Sequence, residues 1–367
     1  MANTKLTWTP SQNGTRTKFT FSFWVKRTGL SSGQSPIYSA DISDSNNTYS
    51  MIYFVNDVLA FYSTDNGQTL YFLTNQKFRD VNSWYHIVIA IDTTQATASN
   101  RVKFYVNGEQ ITSFDTASYP NQNIDNTWFN VTQQQVIGTR SYDNNTYFDG
   151  VISHFNFIDG TQYAASDFGS TDATTGEWKI NTSPSVSYGT NGFFLFKDDN
   201  SVNNQAGNSS GNFAVSAGTL TKSEDNPSNV FATLNFLDTV STLSNGNTKV
   251  VGNTSGYFCG ATNVGAKTGK YYCEVKVVDA SAYTLIGLTD RTPQSATDKF
   301  NGQGYGYAYD GYNGNSWNND SSSSYGNSYT TNDIIGIAVD TDNNKLYFSK
   351  NGTWQNSGVP TSGSTGT

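Results

Sequence analysis

Four kinds of side chain in this 367-residue chain could do chemistry: carboxylates, two histidines, two cysteines and a dense set of aromatics. Glycoside hydrolysis needs two carboxyl groups on one substrate, one to protonate the leaving oxygen and one to attack or to activate water. Glu109, Glu177, Glu224 and Glu274 instead stand alone among polar or hairpin neighbours, with no second carboxylate two to four residues along the same strand. A nucleophilic triad is no better supported. His86 and His154 both sit inside alternating runs, where a hydrogen-bonded sheet histidine is the expected role, and no G-x-S-x-G elbow occurs. Cys259 and Cys273 lie in no C-x-x-C, and with two histidines so placed they cannot form a zinc set. Cys273 alternates with Tyr271, Val275 and Val277 and reads as a buried small hydrophobe, with a disulfide open only if its strand adjoins that of Cys259. The expectation is no catalytic residue and no enzyme.

Loop oxygens that could ligate calcium occur at Asp41 to Asp44, Asp143-Asn-Asn, Asp198-Asp199 and Asp340 to Asn344. None has EF-hand spacing, and Asp and Asn are ordinary turn formers, so neither calcium nor another cofactor is assigned. The stretch with most binding character is DGYNGNSWNNDSSSSYGNSYT, residues 310–330. Rigid aromatics among small hydrogen-bonding residues make adaptable recognition loops. Tyr312, Trp317, Tyr325 and Tyr329 are therefore the candidate ligand-binding residues. A polar insertion with its tryptophan tucked against the fold is the bland alternative.

These residues must be positioned by strands. WYHIVIAID and VKFYVNGEQ, from Trp84 to Gln110, alternate apolar and polar residues and end on Asn107-Gly108, the dipeptide best suited to a tight turn. IIGIAVD, KLYFSK and Asn351-Gly352 repeat the pattern about 245 residues later, which indicates two domains of one architecture. KFTFSFWVK places Phe19, Phe21, Phe23 and Val25 inward against Thr20, Ser22, Trp24 and Lys26. Tyr49 to Val55 and Val58 to Tyr62 flank an Asn56-Asp57 turn, and FDGVISHFNFI sets Val151, Ser153, Phe155 and Phe157 on one face. Ala164 to Phe168 is the one expected helical turn.

Hydrophobic residues are 35% of the chain, yet 14% are aromatic, which separates it from acidic disordered chains and favours a loop-rich all-β fold. A net charge of −8 with no basic run argues against nucleic-acid binding. No run approaches a membrane span, and MANTKLTWTP has neither the basic nor the apolar region of a signal peptide, so synthesis and assembly in a cytoplasm are expected.

The words WYHIVIAIDTTQATASNRVKFYVNG, HFNFIDG, FGSTDATTGEW and YGTNGFFLF resemble the laminin-G-like, concanavalin-A-type domain of tail or other virion proteins of marine bacteriophages. DNPSNVFATLNFLD, LSNGN, GKYYCEV, YTLIGLTD and IIGIAVDTDNNKLYFSKNG resemble the SPRY domain that follows it there. The resemblance implies two concanavalin-A-like antiparallel β-sandwich (jelly-roll) domains in tandem: residues 1–200, a polar linker at 201–232, and a SPRY-like sandwich at 233–367 expected to continue beyond Thr367. It implies a virion location, other virion proteins as partners, assembly as a homo-oligomer, and host-surface polysaccharide as a ligand. A purely architectural or head-decoration role and a glycan depolymerase are the alternatives. Glycanases of this fold carry an E-x-D-x-x-E strand, and this sequence has none. It departs from the SPRY pattern at Cys273, where an aromatic is common.

Overall fold

The computed structural model describes residues 3–41, 48–65, 68–125, 127–143, 145–239, 241–252, 260–280, 283–290 and 306–362. Cys259, Asp44 and Asn144 lie outside these. The fold is almost entirely antiparallel β, with one helical turn at Ala98–Arg101 and a 3-10 turn at Ala165–Asp167. The chain divides into two compact units, Met1–Phe231 with Ser244–Thr248, and Ala232–Leu243 with Lys249–Thr367.

The first unit is a sandwich. One sheet has eight strands, in the order Phe114–Ser118, Gln68–Lys77, Val58–Asp65, Tyr49–Val55, Ser35–Asp41, Gln135–Ile137, Lys5–Trp8, Ala214–Ala217. The other has six, in the order Phe193–Leu195, Gly150–Asp159, Lys18–Arg27, Tyr85–Asp92, Val102–Val106, Glu109–Ile111. Phe19, Phe21, Phe23, Ile87, Ile89 and Phe104 of the six-stranded sheet bury their side chains against Ile52, Phe54, Phe61 and Phe72 of the eight-stranded one. The stretch expected as a linker at 201–232 supplies the edge strand Ala214–Ala217 and the buried Phe213.

Alternation holds, but the second face of the six-stranded sheet is not a solvent face. Thr20, Ser22, Trp24 and Lys26 are all buried, because the chain after residue 160 folds back over them. The Thr20 hydroxyl donates to the Thr161 carbonyl at 2.8 Å, and Phe168 and Trp178 pack with Val88 and Ala90. Lys26 meets Asp225 at 2.5 Å with both side chains inaccessible to water. Asp225 also accepts the Trp84 indole N–H at 3.3 Å and the Phe231 amide at 3.0 Å. A charge this deep is tolerable only when paired and fully hydrogen-bonded.

One strand breaks the period-2 rule. In Gly150–Asp159 the pairing with Lys18–Arg27 slips between Ser153 and Asn156, and His154 has φ +47°. A β-bulge adds one residue and so reverses the phase of the strand. Ile152 therefore packs against the same core as Phe155 and Phe157, whereas Val151 and Ser153 belong to the opposite face.

The second unit packs Lys270–Lys276, Ile334–Asp340, Lys345–Lys350 and Thr353–Trp354 against Leu285–Thr289, Gly306–Asp310, Asn315–Asn318 and Ser321–Ser324. Tyr309 of one sheet stacks on Phe348 of the other at 5.5 Å, with Ile335 and Ile337 beside them. The expectation for Cys273 fails. Its strand, Lys270–Lys276, has every residue exposed and pairs only with Ile334–Asp340 among the described residues, so the thiol is free and reaches solvent.

The repeated hairpin is built the same way in both units. Asn107 and Gly108 have φ +48° and +85°, and Asn351 and Gly352 have φ +49° and +79°. Each asparagine carboxamide oxygen accepts a backbone amide of the preceding strand at 2.8 Å, from His86 in one case and Ile334 in the other. Left-handed backbone at both turn positions is what a right-twisted hairpin demands, and Asn-Gly tolerates it best.

Candidate functional site: a tryptophan-lined groove

The sequence-nominated residues do not converge. Tyr325 and Tyr329 are core, 7% and 4% exposed, and this corrects their assignment as ligand-binding residues. Tyr329 donates its hydroxyl to the carbonyls of Thr284 and Tyr309, and burial raises its pKa well above the ordinary phenol value. The Tyr325 oxygen accepts the Phe348 amide at 3.0 Å. The supposed loop is a hairpin, Asn315–Asn318 against Ser321–Ser324, which turns the second aromatic pair inward. Trp317 is half-buried on that hairpin, its indole N–H donating to Asp310 at 3.1 Å. Only Tyr312 is freely exposed, at 70%, and it lies 4.9 Å from the equally open Tyr283.

Three of the carboxylates considered for calcium are engaged by the protein itself. Asp143 pairs with Arg140, Asp342 accepts the Gly269 amide at 3.0 Å, and Asp340 accepts Asn343 and pairs with Lys270. Among the described residues no group of three metal-ligating side chains comes together.

A different site appears in the first unit. A groove of about 870 Å³ runs beside the Asn107-Gly108 turn, lined by Trp24, Trp84 and Trp178 and by the amides of Asn75, Gln76 and Gln110. Trp178 stands on the small hairpin Gly169–Thr171/Trp178–Ile180, far in sequence from the turn it meets. A Cβ on Gly108 would fall 2.4 Å from the Trp178 ring and one on Gly169 2.6 Å away, so both glycines are dictated by the indole.

The orientation of Trp178 is fixed through His86. The Trp178 indole N–H donates to His86 Nδ1 at 3.0 Å, so the imidazole carries its proton on Nε2 and donates it to the Ser22 hydroxyl at 2.9 Å. Trp24 stacks on one side of the imidazole at 5.0 Å and Trp178 lies near-parallel at 5.9 Å. Burial, helped by the His154 charge, lowers the His86 pKa to about 3, so the ring stays neutral and can accept. His154 does not share this completeness. Its Nδ1 meets Ser153 at 2.7 Å, its buried Nε2 has no partner, and burial lowers its pKa to about 4.

The groove also unites Glu109 and Glu177, which stand 68 residues apart in the sequence. Glu177 is paired with Lys179 at 2.7 Å, and both glutamates are exposed. A general acid is made by removing a carboxyl from water, and neither residue is removed. The arrangement suits binding: indole surface for the C–H faces of a sugar, and amides for its hydroxyls. The side chains of Gln76, Glu109 and Gln110 are exposed and make no hydrogen bond within the described residues. Reading along the sequence cannot find this site, because its parts come from six separate segments. Only the GEW motif marked Trp178 at all.

Residues 2–166 match the concanavalin A-like lectin/glucanases superfamily, and residues 270–366 match the SPRY domain. The first unit is thus similar over most of its length to concanavalin A-like domains, and the second over most of its length to SPRY domains. Among solved structures, domains LG4-5 of the mouse laminin alpha1 chain align over 96% of this chain and 74% of theirs, at 10% identity and TM-score 0.35. The enzymatically active domain of bacteriophage CBA120 tailspike protein 2 aligns over 45% of this chain and 25% of its own, at 15% identity and TM-score 0.32. A native heptameric SAP-like pentraxin from Limulus polyphemus aligns over 44% and 72%, at 15% identity and TM-score 0.32. Such distant likenesses carry nothing about activity. No curated protein matches the chain. No helix among the described residues is long and apolar enough to cross a membrane.

Proposed function

We propose that the protein is a glycan-binding component of a phage virion, tail- or fibre-associated, whose concanavalin A-like unit attaches to host-surface polysaccharide. The observation that carries the binding reading is the groove in which Trp178, oriented by His86, stands beside the unpaired amides of Gln76 and Gln110. The resemblance of the word-like motifs to marine phage virion proteins supports the particle assignment. Binding without cleavage is the chemistry that fits two water-exposed glutamates, one of them held in an ion pair.

The test is retention of the protein on immobilised neutral polysaccharides, with and without the double change Gln76→Ala and Gln110→Ala. Both side chains are exposed, so the fold is expected to persist while retention falls at least tenfold. Retention unchanged in the double variant would remove the groove from the account, and reducing sugar released during the assay would replace binding by hydrolysis. A second reading, architectural contact with neighbouring subunits, is favoured by the exposed Tyr283–Tyr312 pair of the second unit. It predicts that Tyr312→Ala blocks incorporation into particles and leaves glycan retention intact.

A further inference from the structure

The charge of the groove narrows what can enter it. None of its lining residues is a lysine or an arginine, and two are glutamates. Glu177 is neutralised by Lys179, but Glu109 has no cationic partner among the described residues. It sits on the edge strand Glu109–Ile111, immediately after the Asn107-Gly108 turn that packs against Trp178. Of the basic residues near the groove, Lys77 donates to the Asn56 carbonyl at 2.9 Å and Arg79 pairs with Asp57 at 3.0 Å, while Lys103, on the strand paired with Glu109–Ile111, is not part of the lining. A sulfated or uronate-bearing chain would bring anions to this lining with no cation in it to balance them, and the chain's net charge of −8 adds a repulsive background.

Resting on the glycan-binding reading above, we propose that the groove selects polysaccharide free of acidic groups, neutral hexose or hexosamine chains, and that Glu109 is the specificity-determining residue that rejects uronates and sulfates. Rejection by an uncompensated charge is an economical route to specificity, because it leaves the stacking and amide contacts to the accepted sugar untouched. Glu109 is exposed, so its role is separable from folding.

The experiment measures affinity of the full chain for mannan, dextran, laminarin and chitosan, and for dextran sulfate, alginate and heparin, at low and physiological salt. Wild type, Glu109→Gln and the Gln76→Ala/Gln110→Ala double variant are compared, with melting temperatures to confirm folding. The expected result is that at least one neutral or amino polysaccharide binds, that the polyanions bind at least about tenfold more weakly, and that Glu109→Gln narrows this gap several-fold, most at low salt. Polyanions that bind as well as neutral chains, through a surface the double variant abolishes, would overturn the charge selection and leave the groove reading standing. Binding of no probe, or binding indifferent to the double variant, would overturn both.

Discussion

Replacing His86 by Gln tests the relay beneath the groove through a pH signature that a merely structural residue would lack. Glutamine can still accept the Trp178 indole N–H and donate to Ser22, so the two hydrogen bonds at 3.0 and 2.9 Å have a substitute. The imidazole's titration has none. His86 protonates near the ordinary value of 6.5 in the unfolded chain and near 3 in the fold, because burial disfavours its cation. The unfolded state therefore binds more protons throughout that window, and the contribution present above pH 6.5 is lost as pH falls towards 3. By pH 4.5 about two units of the window are crossed, which at about 1.4 kcal/mol per unit removes roughly 3 kcal/mol. His154 titrates in the same sense in both proteins, and burial, the first cause of its shift, is common to them. The assay is denaturant unfolding at pH 7.5 and 4.5, followed by fluorescence of the first unit's Trp8, Trp24, Trp84, Trp128 and Trp178. His86→Gln should lose roughly 3 kcal/mol less than wild type between the two pH values. Equal losses would show that His86 is not buried as a neutral acceptor, and the orientation of Trp178 would need another cause.

Other perturbations separate the roles of neighbouring residues. Phe104→Ala and Phe348→Ala should each cost about 3–5 kcal/mol in chemical unfolding, as large-to-small changes at fully buried sites, and a cost below about 1 kcal/mol would mean the faces are misassigned. The paired turns give a controlled comparison. Gly352→Ala meets nothing within 4 Å and pays only for left-handed backbone, about 1 kcal/mol, whereas Gly108→Ala must also displace the Trp178 ring and should cost more and perturb its fluorescence. Asp225→Ala strands the Lys26 ammonium and should destabilise the first unit by about 3–5 kcal/mol, with Lys26→Met in the same chain recovering a large part of it.

The strands were legible where one face is apolar and the other polar, as in Tyr85–Asp92 and Val102–Val106, and Asn-Gly announced both turns because few other dipeptides accept two positive φ values. The bulge at His154 was not legible, since an added residue leaves no mark except a phase error seen once Phe155 and Ile152 share a core. Nor was the burial of Thr20, Ser22 and Lys26, which depends on chain more than 130 residues later folding back. The tyrosines of 310–330 misled for a related reason. Ser and Asn have low strand propensity, so the hairpin that buries Tyr325 and Tyr329 looks like a loop. The groove lay beyond linear reading because its chemistry is assembled from turns and edges whose proximity is set by the sandwich.

The most direct measurement is a crystal structure of the full chain soaked with the neutral oligosaccharide that binds most tightly in the panel. The account predicts a pyranose ring in the groove of the first unit, in contact with Trp178 and hydrogen-bonded to Gln76 or Gln110. A sugar bound anywhere else, with this groove empty, would contradict it.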